Sequence, residues 1–252
     1  MLKIYSKKYS ILFCFIIVLL TACKTYFPAT VQSDILKIKN TDTSDASIFA
    51  YYKSYKDSLD KLMKVPVADL ALDLSKNKPE STLGNMMADI LLKKTKDYYG
   101  DKIDFAIVNY GGIRIPTLSK GALQIEDAYF LMPFDNYLVV QKLTGQQVQY
   151  LCDSIAATGG WPIAGMSFQI LDNKASNIKI NNTPLQLNST YTMATSDYLA
   201  NGGDGLNVLK SIPAIETGKL YRDAIIDYWK AQTNAGKQIS SQLENRITNA
   251  PK

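Results

Sequence analysis

Apolar residues at Ile48, Tyr52, Tyr55, Leu59 and Leu62 recur in steps of three and four. That is the period of one helix face, and it predicts an amphipathic helix over Ala46–Lys64. Val65–Leu74 reads as extended chain. Ser81-Thr82 precedes a second helix of about Gly84–Tyr98, which carries Met87, Ile90, Leu91 and the acid Asp89. Phe105-Ala106-Ile107-Val108 is a short, fully apolar run, the mark of a strand buried on both faces, and Asn109-Tyr110-Gly111-Gly112 ends it. Tyr137–Lys142 predicts another strand, and Thr144 is a good N-cap for a helix Gln146–Ala156. Met166–Leu171 and Asn177–Ile180 predict a hairpin that turns around Asp172–Ser176. Tyr191–Thr195 follows as a strand, and Lys219–Ala235 as a closing helix with Tyr221, Ala224, Ile225 and Trp229 on one face. The tail from Asn234 is polar and reads as frayed. Strands and helices mixed without strict alternation predict an α+β fold, a single domain of mixed β-sheets with flanking helices.

The N-terminus reads as a leader. Lys3, Lys7 and Lys8 precede the apolar run Ile11–Leu20, which stops at Leu20-Thr21-Ala22-Cys23. A run this short falls well below the ~20 residues a membrane-spanning helix needs, and its layout is that of a secretory signal. A Cys directly after Leu-Thr-Ala resembles a bacterial lipobox, in which the thiol is acylated and becomes the new N-terminus; an ordinary signal with an incidental Cys is the alternative. The organisation expected is a signal over 1–22, a lipid-anchored tether over 23–45, a folded domain over 46–240 and a polar tail over 241–252. The expected location is the bacterial cell envelope, at the periplasmic or outer-membrane face. Without the three signal lysines, 25 basic and 23 acidic residues remain, a near balance with no basic stripe that would suit nucleic acid. Beyond Cys23 the chain keeps only Cys152. It can form no internal disulfide, and its place on an apolar helical face suits packing better than reactivity.

The residues that carry chemistry sit in glycine-rich loops. Asn201-Gly202-Gly203-Asp204-Gly205 holds one carboxylate among three glycines, three residues after Tyr198 and its aromatic ring. Each glycine costs roughly 0.5–1 kcal/mol in a regular element, so the run serves a tight turn or the close approach of another group. An aromatic ring beside a fixed acceptor suits a flat ring bearing hydroxyls, such as a nucleoside. A surface turn with Asp204 as a local acceptor is the alternative. Three more loops stand out: Glu80–Asn85, Asn109–Arg114 and Pro133–Asn136.

Taken together, Asn109-Tyr110-Gly111-Gly112-Ile113-Arg114, Met132-Pro133-Phe134-Asp135-Asn136 and Tyr198-Leu199-Ala200-Asn201-Gly202-Gly203-Asp204-Gly205 resemble, in order and rough spacing, the signatures of the C-terminal, substrate-recognition domain of the 5'-nucleotidase / UDP-sugar hydrolase family. Glu80-Ser81-Thr82-Leu83-Gly84-Asn85 with Ala88-Asp89 is similar to that domain's opening helix. The resemblance covers about Ala46 to Ala235. It implies that Phe134 and Tyr198 clamp a base between two rings, that Asp204 takes the ribose hydroxyls, and that Asn109 and Arg114 reach the phosphates. With Gly111 and Asn136 these form the candidate substrate-binding set, and no catalytic or metal-ligating residue is assigned. Tyr198 stands where the family usually has Phe; its ring still stacks, and a hydroxyl facing water would make Tyr198→Phe mild. The family also places an Arg shortly before the Leu-Gly-Asn element, where this chain has Lys76 and Lys78. A lysine offers phosphate a point charge, not a bidentate fork.

The chain has no histidine. In the family the chemistry belongs to an N-terminal metallophosphoesterase domain with a two-metal centre, and two-metal phosphate hydrolysis needs such ligands. Only the tether precedes the matching region, so no such domain is expected here. The expectation is the nucleotide-recognition half of a split 5'-nucleotidase-type hydrolase in nucleotide catabolism. Its cofactors, divalent metals, would sit in a separate metallophosphoesterase chain, and it would be inactive alone. The alternatives are a free-standing nucleotide- or nucleoside-binding lipoprotein and a domain that kept the fold but lost the ligand. Intact Phe134, Tyr198 and Asp204 argue against the last.

Overall fold

The computed structural model describes residues 45–100 and 103–251. The leader, Cys23 and nearly all of the expected tether lie outside the described residues. The chain divides after Phe49 into two units. Residues 45–49 of the first form the opening turn of α1 (Ala46–Met63), where Asp45 Oδ1 accepts the Ser47 amide at 2.8 Å. No residue of α1 is buried. The second unit continues with β1 (Pro66–Leu70), β2 (Leu74–Ser75), α2 (Thr82–Tyr99), β3 (Phe105–Ile107), β4 (Thr117–Leu118), β5 (Gly121–Gln124), α3 (Ile125–Leu131), β6 (Tyr137–Thr144) and α4 (Gly145–Ala157). After these come β7 (Ile163–Ala164), β8 (Met166–Leu171), β9 (Lys174–Ile180), β10 (Thr183–Pro184), β11 (Thr190–Ser196), α5 (Asp197–Ala200), α6 (Asn207–Lys210), β12 (Ala214–Leu220), α7 (Tyr221–Asn234) and β13 (Ile247–Asn249). The fold is α+β, as the pattern predicts.

The helix starts obey local chemistry. Ser81 Oγ accepts the Gly84 amide at 3.1 Å and begins α2. Thr144 and Gln147 close a reciprocal capping box on α4, satisfying two otherwise orphaned backbone donors. A mixed five-stranded sheet, in the order β12-β6-β11-β3-β7, forms the middle of the unit. Its central strands are buried on both sides, with alternate residues feeding two cores. Ala106 and Val108, with Val140 and Ala194, join Leu83, Met87, Ile90, Ile225 and Trp229 beneath α2 and α7. Phe105 and Ile107, with Met193, join Leu151, Ile155, Trp161 and Phe168 beneath α4 and a second sheet in the order β10-β9-β8-β13. Cys152 is fully enclosed in the second core, where burial pushes its thiol far above the usual range. It packs, as its position on α4 suggests.

Three expectations need correction. The β8–β9 hairpin turns on Asp172 and Asn173 alone, with φ of 48° and 61°. Two successive residues at positive φ make the two-residue turn that matches strand twist, so β9 starts at Lys174 and not at Asn177. The closing helix starts at Tyr221, because residues 214–220 pair with β6 as an edge strand. The tail is not frayed: Ile239 is 2% exposed and bridges Leu70, and β13 runs parallel to β8. Arg246 is buried between them. It donates to Asp89 and Glu244 and to the Ile163 carbonyl at 2.8 Å. Polar composition hides this packing, since two isolated isoleucines, Ile239 and Ile247, share the anchoring with one guanidinium and its three acceptors.

A second buried arginine fixes the loop before β6. Arg222 on α7 is 7% exposed. Its Nη2 donates to Asp135 Oδ1 at 2.6 Å, its Nη1 to the Phe134 carbonyl at 3.4 Å, and its guanidinium lies 4.1 Å from the Tyr129 ring centroid. The Tyr221 amide adds a bond to the Asn136 carbonyl at 2.8 Å. Arg222 Nε has no partner, so the site tolerates a buried polar cost to hold the loop. Arg222→Ala should lower stability by roughly 1–3 kcal/mol and speed hydrogen exchange at the amides of residues 134–136. Asp135→Asn, on the exposed end of the pair, should cost less than about 1 kcal/mol. Unchanged exchange in Arg222→Ala would show that the loop holds itself.

Candidate functional site

Strand direction gathers the loops. β3 and β11 run parallel, with Met193 opposite Phe105, so both C-terminal ends reach one edge of the sheet. β6 runs antiparallel to β11 with Leu138 opposite Ser196, so its start lies at the same edge. The chain leaving β3 carries Asn109–Arg114, the chain entering β6 carries Phe134–Asn136, and the chain leaving β11 carries Tyr198–Gly205. Asn109, Gly111, Gly112, Arg114, Phe134, Asn136, Tyr198 and Asp204 line one cavity of about 280 Å³. All seven candidate residues are among them. Phe134 and Tyr198 are 41% and 44% exposed, so neither ring belongs to the core.

Asp204 is the best-connected group at the cavity. Its Oδ2 accepts the Asn109 Nδ2 amide at 2.8 Å, and its Oδ1 accepts the Tyr198 hydroxyl at 2.9 Å. The Asp204 amide donates back to the Tyr198 oxygen at 3.2 Å. The phenol expected to face water is thus engaged. Asn109 makes no side-chain capping bond to the 3-10 turn that follows it; one N–H of its amide goes to Asp204, and an amide nitrogen carries two. The loop conformation depends on glycine at two positions. Gly202 has φ 86°, a region costly for residues with a Cβ. A Cβ on Gly203 would fall 2.5 Å from Tyr198 Cε1, so only glycine lets the ring lie on this backbone. Asp204 itself sits at φ 51°, a left-handed conformation that Asp tolerates better than most residues.

Cations cluster toward the other side. Arg114 is exposed; its guanidinium lies 5.5 Å from the Phe134 ring centroid and donates to the Gly111 carbonyl at 3.2 Å. Lys76 and Lys78, which stand where the family places an Arg, both sit over the Tyr110 ring, at 4.1 and 4.8 Å. Lys76 also donates to the Ile113 carbonyl at 2.7 Å, and Lys78 to the Thr158 carbonyl. Partial burial, with the charges of Arg114 and Lys78 nearby, holds the Lys76 ammonium below its usual range. Among the ion pairs of the described residues, none involves these three cations. The Glu80–Asn85 loop does not line the cavity. Glu80 Oε1 instead accepts from Asn85 and from the Glu244 amide, fastening the C-terminal segment. Sequence reasoning missed Arg222, whose only signal was an arginine within a helical apolar face.

Two-metal phosphate chemistry needs a cluster of His, Asp or similar donors. The chain has no histidine, and among the described residues no three His, Cys, Asp or Glu side chains gather to hold a cation. The described residues do not fit such a centre. No helix of the described residues is long and apolar enough to cross a membrane.

Comparison with known proteins places this geometry. A family model described as 5'-nucleotidase, C-terminal domain matches residues 64–211. The trifunctional nucleotide phosphoesterase protein YfkN of Bacillus subtilis is 32% identical over 215 residues, covering 77% of this chain and 14% of YfkN. The cell wall protein Lmo0130 of Listeria monocytogenes is 31% identical over 186 residues, covering 66% of this chain and 23% of Lmo0130. The crystal structure of the 5'-nucleotidase precursor from Thermus thermophilus superposes with a TM-score of 0.71 at 26% identity, covering 81% of this chain and 44% of that one. The chain therefore spans less than half the length of each of these relatives. The matched region contains the Asn109, Phe134 and Asp204 loops that meet at the cavity, and on this match the chain belongs to the 5'-nucleotidase C-terminal domain family.

Proposed function

We propose that this protein is the nucleotide-recognition unit of a split 5'-nucleotidase-type hydrolase, acting in nucleotide catabolism beside a separate metallophosphoesterase chain that carries the divalent metals. The observation that carries this reading is two half-exposed rings, Phe134 and Tyr198, at one cavity with a carboxylate held by two donors. The rings stack on the faces of a base, a contact worth about 1–3 kcal/mol and tolerant of base identity. Asp204 accepts the ribose hydroxyls in charge-assisted bonds, roughly twice as strong as neutral ones. Arg114, with Lys76 and Lys78, supplies positive charge without paired acid, and so draws the phosphate to the Arg114 side. Nucleotide-directed names among the relatives support the substrate class. The lack of histidine, and of a three-donor cluster among the described residues, favours a separate chain for the chemistry. The alternative is a free-standing nucleotide- or nucleoside-binding lipoprotein.

We also propose attachment to the cell envelope through lipid on Cys23. Two or three acyl chains anchor stably where one does not, and a relative named as a cell wall protein agrees with a place outside the cytoplasm. Cys23→Ser should block lipid-dependent processing and remove the protein from the detergent-extracted membrane fraction. Normal processing and fractionation of that variant would end this proposal.

Titration calorimetry on the protein in detergent tests the clamp. Phe134→Ala and Tyr198→Ala should each weaken adenosine binding by roughly 1–3 kcal/mol with little change in melting temperature. Arg114→Ala should weaken AMP binding by about 1.5–3 kcal/mol and adenosine far less. A large loss of melting temperature with binding intact would return either ring to a packing role.

Turnover tests the division of labour. The purified protein should bind nucleotide yet release no phosphate with Mn²⁺, Zn²⁺ or Mg²⁺. Contacts remote from the reacting bond accelerate a reaction by positioning it. Adding the metallophosphoesterase should therefore raise turnover of nucleoside monophosphates above that of a base-free phosphate ester, and Asp204→Ala should reduce that gain alone. Metal-dependent hydrolysis that survives repurification would overturn the split reading. A partner indifferent to this chain would leave the binding-protein reading.

A further inference from the structure

Tyr198 is built into the acid it faces. Its hydroxyl donates to Asp204 Oδ1 at 2.9 Å while its oxygen accepts the Asp204 amide at 3.2 Å, which closes a small ring of hydrogen bonds around one residue. The ring is in turn pressed onto Gly203, where any side chain would collide with it. On the opposite oxygen, Asn109 Nδ2 donates at 2.8 Å. An ionised carboxylate offers about four acceptor positions, two on each oxygen. Tyr198 and Asn109 occupy one on each, and one on each remains open beside the cavity. Two acceptors a carboxylate's width apart match two neighbouring hydroxyls on one sugar ring.

We propose that the Tyr198 hydroxyl is the sugar-specificity determinant of this cavity: it locks the Asp204 carboxylate so that both open acceptors face a vicinal diol, and it thereby selects ribonucleosides over 2′-deoxyribonucleosides. The proposal rests on the nucleoside reading above. The carboxylate turns only by giving up the phenol and the Asn109 amide. A sugar with a single hydroxyl fills one open acceptor and forgoes the second bond to the charged carboxylate, and hydrogen bonds to charged groups are the stronger ones. Phenylalanine at position 198 keeps the ring and its stacking but removes both bonds to Asp204. The carboxylate is then held by Asn109 alone and turns about that one bond toward whichever hydroxyl is offered, so selectivity falls while base affinity stays.

Calorimetric titration of the detergent-purified protein with adenosine and 2′-deoxyadenosine, for wild type, Tyr198→Phe and Tyr198→Ala, tests this. Wild type should prefer adenosine by roughly tenfold or more, as loss of a hydrogen bond to a charged group predicts. Tyr198→Phe should bring the two ligands to within about threefold of each other with little loss in deoxyadenosine affinity, because stacking persists. Tyr198→Ala should weaken both. A ribose preference unchanged in Tyr198→Phe would overturn the proposal, as would a wild type that binds both ligands equally; in either case nucleoside binding itself would stand. A wild type that binds neither ligand would instead overturn the nucleoside reading on which the proposal depends.

Discussion

The parallel pairing of β3 with β11 is the constraint on which the site depends. The two strands are more than 80 residues apart in sequence, yet Phe105 and Ala106 sit opposite Met193 and Ala194. Register in a strand buried on both faces is strongly specified, because a slip of one residue exchanges the two faces. Here it would move Phe105 and Ile107 out of one core and Ala106 and Val108 out of the other. The apolar cores thus fix how far each strand extends, and so where Asn109 and Tyr198 emerge. The bond from Asn109 to Asp204, spanning 95 positions in sequence, is a consequence of that register.

Polar anchoring does what the cores cannot. The loop ahead of β6 and the segment after α7 carry few apolar residues, and one arginine with several acceptors helps to hold each. Partial burial, with the charge of Glu244 nearby, raises the pKa of Asp89, and the facing Arg246 opposes the shift; without its acceptors Arg246 would be a buried, uncompensated charge. Such anchors are directional. Arg222 fixes the backbone at Phe134 and leaves its ring exposed, whereas an apolar anchor would have drawn the ring inward.

On the reading proposed above, the cavity's parts differ in kind. The two rings supply non-directional affinity, Asp204 supplies geometry, and the unpaired cations supply long-range attraction that salt screens within about 10 Å. That reading gives none of these groups the task of activating water. Recognition and chemistry are then separable, and the binding free energy gathered here acts on the rate only when another group holds the reacting phosphate.

The chain's own pattern determined the helices whose apolar face repeats at helical spacing, α1, α2, α4 and α7, and the strands whose two faces are both apolar, such as β3. Capping residues such as Ser81 and Thr144 marked their starts. It also marked the candidate residues that line the cavity, because glycines at positions that exclude a Cβ and aromatics on turn backbones are costly unless used. Among the elements it left hidden are two without a period to read: β12, almost wholly exposed at a sheet edge, and β13, three residues long and held by a remote parallel partner. Only the tertiary structure decided that the three loops share one sheet edge, that Tyr198 turns its hydroxyl to Asp204 and not to water, and that Arg222 and Arg246 lie inside while Arg114 stays out. Each of these depends on contacts between residues tens of positions apart, and local sequence carries no information about which distant acceptor a donor will meet.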